Sequence, residues 1–289
     1  MSAKPILIAI AALSQAALAA GCATTAHPGH VTKPSATAHN DAAKPQKATK
    51  AQLEAAAKRE AKAREEIGTQ DILTQMTFWA QESAANPDDA ETSLKFSEAL
   101  RKGGRADRAV EVASAGLDTH PSDPHLLLAL GTALIDARRS GEALRPLALV
   151  AQADAKDWKS RSALGVALDQ QGRFEEARMA YKEALAIKPA DPDILTNFGV
   201  SYLLTGEAAK AEAVLRQAAA LPSAGPEVRQ NLSLAIGLQG RFKEAEQLQK
   251  VDLPPSLVAN NMAYMHSLLT DDRHWGDLKS NDRSWSATR

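Results

Sequence analysis

One spacing constrains this chain more than any other feature of its sequence. Ala109, Ala143, Ala177, Ala211 and Ala245 lie 34 residues apart. Gly131, Gly165 and Gly199 keep the same interval, as do Gly172, Gly206 and Gly240. Before the first set of glycines stand Leu130, Leu164 and Phe198, and three residues after them Leu134, Leu168 and Tyr202. Self-similarity at a period of this length means one supersecondary unit stacked on copies of itself, each copy burying its apolar face against the next. Composition makes the unit helical. Ala and Leu dominate, aromatic residues are 4% of the chain, and Ala and Leu lose little entropy in a helix.

Within a copy each residue type has its own task. Gly, or Ser97 and Ser233 in the outer copies, marks where the two helices of one copy cross closely. The recurrent Ala marks the close approach of the second helix, and large apolar residues fill the gaps between copies. Gly172, Gly206 and Gly240 stop the first helix, and a proline such as Pro121 or Pro189 closes the second. Five copies are expected to start near Ala90, Pro124, Trp158, Pro192 and Pro226. The fullest one runs Trp158, Leu164, Gly165, Leu168, Ala177, Tyr181, Ala184, Pro189.

This pattern resembles the tetratricopeptide repeat. The resemblance implies an all-α solenoid of about five helical hairpins plus capping helices over residues 68–270, acting as a protein-binding module. The segment 70–85, with Ile72, Leu73, Met76, Phe78 and Trp79, reads as an unpaired first helix. Pro254-Pro255 breaks the fifth copy, and residues 256–269 make one more helix. Trp79 and Trp158 fall at packing positions, and His266, in the register of Tyr202 and Ile236, is expected to be half-buried. Residues 271–289, with Trp275 and Trp285, form a polar and loosely held tail.

The N-terminus has a different logic. A short cationic start, an apolar stretch from Pro5 to Leu18 and the small residues Ala19-Ala20-Gly21 lead to Cys22, the only cysteine. This is the order of a secretory signal. Leu18-Ala19-Ala20-Gly21-Cys22 resembles the lipobox of bacterial lipoproteins, with Ala19 where leucine is usual. The resemblance implies a signal peptide over 1–21 and acyl chains on Cys22, a membrane anchor worth about 0.8 kcal/mol per buried methylene. Ala23 stands where an Asp would resemble an inner-membrane retention signal, which points to the outer membrane, facing the periplasm. Residues 22–49 carry Pro28, Pro34 and Pro45 and no apolar periodicity, the composition of a disordered tether. His27, His30 and His39 read as solvated linker residues. Residues 50–67 alternate acid and base around alanines and read as a charged lead-in helix.

The chain carries no Gly-rich phosphate loop, no HExxH and no G-x-S-x-G, and no enzyme, cofactor or metal site is expected. The formal net charge of −1 gives no basic field for nucleic acid. His120 and His125 read as solvated or capping residues. The expected site is the inner face formed by the first helix of each repeat. Helical period puts Glu98, Arg101, Leu128, Thr132, Ile135, Val166, Asp169, Val200, Leu203, Gln230 and Leu234 there, a mixed groove suited to a helix or an extended peptide. Asn197 and Asn231 share one register, and Asn261 takes the equivalent place in the last helix. They can form a ladder gripping peptide backbone, since an amide both donates and accepts, or hydrogen bonds within the scaffold.

The layout, and above all the ending VDLPPSLVANNMAYMHSLL, resembles the TadD family of lipoproteins of the Tad (tight-adherence, Flp) pilus system. That resemblance implies protein partners, with the pilus secretin or other Tad assembly components as candidates, and a pilotin-like role. The other classes the sequence leaves open are an adaptor for a periplasmic protease or cell-wall synthase, and a pilotin of another pilus or secretion system.

Overall fold

The computed structural model describes residues 58, 59 and 61–270. The signal peptide, Cys22, the tether, the start of the lead-in helix and the tail at 271–289 lie outside the described residues. Residues 61–66 are helical and run into a short 3-10 turn at Ile67–Thr69. Twelve α-helices follow, with no strand among the described residues: α1 (Ile72–Ala85), α2 (Ala90–Lys102), α3 (Ala106–Thr119), α4 (Pro124–Asp136), α5 (Ser140–Ala153), α6 (Trp158–Gln170), α7 (Phe174–Ile187), α8 (Pro192–Leu204), α9 (Ala208–Ala219), α10 (Pro226–Gly237), α11 (Phe242–Gln249) and α12 (Pro255–Thr270).

The five first helices, α2, α4, α6, α8 and α10, begin at Ala90, Pro124, Trp158, Pro192 and Pro226, where the period put the start of each copy. One reason they start there is a second periodic signal. Asp89, Asp123, Asp157 and Asp191 are 34 apart, and each carboxylate accepts backbone N–H groups from the first turn of the helix that follows. Such a cap contributes about 1 kcal/mol. The first helices end in a left-handed residue, at Gly104, Gly172, Gly206 and Gly240 in four copies and at Arg138 (φ 62°) in the other.

Each first helix packs on its own second helix, and on the first helix of the next repeat: α2 on α4, α4 on α6, α6 on α8, α8 on α10 and α10 on α12. The second helices make no comparable contacts with one another. The first helices therefore line the inside of the curve. The core runs the length of the stack, with Ala109, Ala143, Ala177, Ala211 and Ala245 all fully buried.

The crossing inside each hairpin follows a rule of paired volumes. A Cβ added to Gly131 would lie 2.5 Å from Leu147, one on Gly165 2.4 Å from Tyr181, and one on Gly199 2.6 Å from Leu215. In the outer copies the partner register holds Ala113 and Gln249, and the crossing residue is serine. Ser97 and Ser233 donate to the carbonyls of Ala109 and Ala245 at 2.9 and 2.8 Å. A large side chain on the second helix requires glycine on the first, and a small or polar one admits serine.

One residue at each end stands exposed, and at His266 this departs from the sequence reading. Leu73 is 70% exposed, because α1 turns Trp79 and half of Met76 and Phe78 toward α2 and leaves Leu73 on its outer side. His266 is exposed rather than half-buried. α11 stops after eight residues at Gln249, and α12 meets both its ends: Asn261 reaches Gln249, and His266 stacks on Phe242 at 3.6 Å.

Candidate binding groove

The inner face is built from the registers that the first helices turn toward the axis of the curve. Leu128, Thr132, Val166, Asn197, Val200 and Asn231 are half-buried there, on α4, α6, α8 and α10. Half-burial is what an open groove floor requires: enough packing to hold the rotamers, enough exposure to meet a ligand. The face is apolar through Leu128, Val166 and Val200, and charged at its N-terminal end through Lys95, Glu98, Arg101 and Lys102. Thr132 spends its hydroxyl on the Leu128 and Ala129 carbonyls of its own helix, both at 3.0 Å.

Four expected groove residues lie in the interior. Ile135 (6% exposed), Asp169 (7%), Leu203 (3%) and Leu234 (5%) are buried. Arg101, Ile135, Asp169 and Leu203 share one register at 34-residue spacing, and that register points sideways into the first helix of the next repeat. Arg101 bridges to Asp136 of α4 at 3.0 Å, Ile135 joins a core cluster packed with Ala163 and Val166 of α6, and Leu203 joins Leu232 and Leu234 of α10. Leu234 is covered in turn by the Met262–Met265 stretch of α12.

Asp169 is the polar member of this register. Its carboxylate accepts from Tyr181 Oη at 2.9 Å and from Ser201 Oγ at 2.7 Å, tying α6 to its own hairpin partner and to α8. Beside it Arg178, also buried, pairs with Glu175 at 2.7 Å and Glu207 at 2.9 Å, donates to Thr205 Oγ1 and lies 4.3 Å over the Tyr202 ring. Arg178 Nε is the one buried side-chain polar atom without a partner among the described residues. The sequence reading missed this network. The signal for it was an arginine in a register that holds Val110 and Leu144 in the preceding copies.

Burial raises the Asp169 carboxyl to about 6, against the opposing pull of Ser201, Tyr181 and Arg178. Burial also pushes the Tyr181 phenol up, with the Asp169 charge adding to it. A carboxyl whose pKa is raised by folding holds its proton more tightly in the folded state. Its contribution is therefore full below the unfolded value of about 3.9 and is lost as pH rises through about 6. Asp169→Asn should flatten the change in melting temperature between about pH 4 and 6 that the parent shows. Asp169→Ala, which strands two buried hydroxyls, should lower stability at every pH by about 1–3 kcal/mol. Thermal melts across that pH range check both.

The asparagine register divides. Asn261 donates to Gln249 Oε1 at 3.0 Å, and Gln249 donates to Ser233 Oγ at 3.0 Å, a buried chain joining α12, α11 and α10. Asn231 donates to the Glu227 carbonyl of its own helix. Asn197 makes no side-chain hydrogen bond among the described residues and stays available on the inner face. No group of three His, Cys, Asp or Glu stands close enough to hold a metal ion among the described residues. No helix there is long and apolar enough to cross a membrane.

A curved stack of helical hairpins with a half-buried inner face is a scaffold for binding other proteins. Residues 94–158 match the family model described as tetratricopeptide repeat, and residues 165–206 the model described as TPR repeat. Both models describe a repeat and neither a catalytic domain. No curated protein matches the sequence significantly. Among solved structures, a tetratricopeptide-repeat protein of Thermus thermophilus is similar at 24% identity and a TM-score of 0.55, over 61% of this chain and 98% of that one. One from Parabacteroides merdae is similar at 11% identity and a TM-score of 0.56, over 74% and 82%. These likenesses establish the fold.

Proposed function

We propose that this chain is a lipid-anchored assembly factor: Cys22 carries the acyl chains, residues 22–49 are the tether, and the solenoid holds a periplasmic protein partner near the outer membrane. The partner is the secretin of a Tad (Flp) pilus, met directly or through other Tad assembly components. The observation that carries the binding role is the inner face itself, where residues from four successive first helices are half-buried around an apolar floor. The lipobox-like Leu18–Cys22 and the ending from Val251 to Leu269 support the anchor and the pilus system. A tether raises the effective concentration of partner at the membrane, so a weak groove contact suffices.

Deletion of the gene tests this reading. Secretin subunit should be made but remain unassembled or mislocalised, with surface pilin lost. Cys22→Ser, exported but unacylated, should restore assembly poorly, and labelling with an alkyne fatty acid should mark the parent and not this variant. Normal secretin multimer and surface pilin in the deletion strain would replace this reading with the protease or cell-wall adaptor.

A further inference from the structure

The inner face repeats in rows at 34-residue spacing, one residue from each first helix. Asn197 and Val200 stand on its floor, and Asp193 lies four residues before the one and seven before the other, so helical period puts it on the same face. Its row is Glu91, His125, Lys159, Asp193 and Glu227, all exposed, and forms one lip of the groove. The opposite lip lies four residues beyond the row of Val200. It holds Lys102 and Asp136 at the ends of α2 and α4, but the half-buried Leu204 and Leu238 at the ends of α8 and α10. The C-terminal half of the groove is therefore two-sided, with carboxylates on one lip and leucines on the other.

The carboxylates of this face fall into two groups. At the N-terminal end each has its own cation: Glu91 meets Arg64 at 3.5 Å, Glu98 meets Lys95 at 3.3 Å and Asp136 meets Arg101 at 3.0 Å. Asp193 and Glu227 make no ion pair among the described residues. The cations whose charge reaches them are held by other carboxylates. Lys188, which acts on Asp193, pairs with Asp191 at 2.7 Å and lies 4.0 Å over the Trp158 ring. Arg229, which feels Glu227, grips Asp252 through two hydrogen bonds of 2.7 Å. Partial burial raises the Asp193 carboxyl, and the charges of Asp191 and Glu227 raise it further. A helix N-terminus favours a carboxylate in its first turn, but His125 and Lys159 take the same place in α4 and α6. Neighbouring first helices thus present like charges to each other and to the groove, a repulsion that a cation from outside relieves.

We propose that the α8–α10 half of the groove takes a cationic amphipathic segment of the partner protein, its Lys or Arg side chains on Asp193 and Glu227 and its aliphatic side chains on Val200, Leu204 and Leu238. This selectivity rests on the inner face being the binding surface. Packed helices lie about 8–10 Å apart, so the segment carries its cations at that spacing, about three residues apart when extended or about two turns apart in a helix. Val200 lies about 10 Å along α8 from Asp193, so the aliphatic side of the segment, and not its cations, meets the floor.

A random-peptide library displayed on phage and panned on the full-length chain tests the selectivity. The parent should enrich peptides that carry Lys or Arg beside aliphatic residues and should reject acidic ones. An enriched peptide, synthesised with a fluorescent label and titrated by anisotropy, should bind Asp193→Asn with Glu227→Gln on the order of tenfold more weakly, at unchanged melting temperature. Asp193→Lys with Glu227→Lys should enrich acidic peptides instead. A library from which the parent enriches no cationic peptide overturns the proposal. So does equal affinity for the parent and for Asp193→Asn with Glu227→Gln, and a loss on Val200→Arg in that case keeps the inner face as the binding surface. Unchanged affinity on Val200→Arg moves binding off the inner face and overturns both readings. A parent that dimerises where Asp193→Asn with Glu227→Gln stays monomeric overturns the proposal in favour of a second copy of the chain.

Discussion

Gly165→Leu is expected to be the most destabilising single substitution in the solenoid. The added Cβ alone would lie 2.4 Å from Tyr181 Cε1 and 2.6 Å from its Cζ. At Gly131 and Gly199 the obstructing atoms belong to leucine side chains, which can change rotamer. Tyr181 cannot yield in that way. Its hydroxyl is held by Asp169 at 2.9 Å, its ring lies 6.1 Å from that of Phe198, and it is 1% exposed. Moving it breaks the hydrogen bond that links α6, α7 and α8 through Asp169. Overpacking costs about 1–3 kcal/mol, and stranding a buried carboxylate or hydroxyl adds about 1–3 more. That is a large share of the stability of an ordinary domain. Gly165→Ala should already show part of the loss, and Gly68→Ala, where an added Cβ meets nothing within 4 Å, should show none. Thermal and urea melts of the three variants measure it. A Gly165→Leu protein that melts with the parent would mean that α6 and α7 do not cross at this residue.

The repeat was legible because each of its signals acts within one hairpin. Gly165 and Tyr181, Asp157 and the first turn of α6, and Gly172 at the end of α6 all meet partners fewer than 20 residues away, and most copies repeat each of them. The groove was less legible, because it is made between hairpins. On a helical wheel of α6 alone, Val166 and Asp169 both point inward to the same face. Only the distance to α8 separates them: Val166 stays half-buried on the floor while Asp169 meets Ser201, 32 residues on. Ile135 and Leu203 followed Asp169 into the interior for the same reason. A register that faces the neighbouring repeat cannot be told from one that faces solvent until the curvature is known, and no single residue sets the curvature. His266 shows the converse at the C-terminal end, where a packing register holds an exposed side chain stacked on Phe242.

Thr132→Glu with Val200→Glu should abolish partner capture and leave the fold intact. Thr132 and Val200 sit on α4 and α8, half-buried on the inner face, and neither belongs to a buried core cluster. A carboxylate at each can still reach water in the free protein, so the melting temperature should move little, as for most surface substitutions within about 0.5 kcal/mol. A bound partner would bury both charges without counter-charges, since the cationic side chains Lys95, Arg101 and Lys102 lie at the N-terminal end of the face on α2. An unpaired charge at the centre of an interface costs several kcal/mol, and each 1.4 kcal/mol is tenfold in affinity. The loss should therefore exceed about a hundredfold. Leu203→Glu serves as the contrasting variant. At 3% exposure, in the cluster with Leu215 and Leu232, its carboxylate enters the core and should lower the melting temperature sharply, so that loss of function follows from unfolding. Secretin multimer in cells expressing each full-length variant, read beside its melting curve, separates the two causes. Wild-type secretin assembly by a folded Thr132→Glu, Val200→Glu protein would place the binding surface elsewhere on the solenoid.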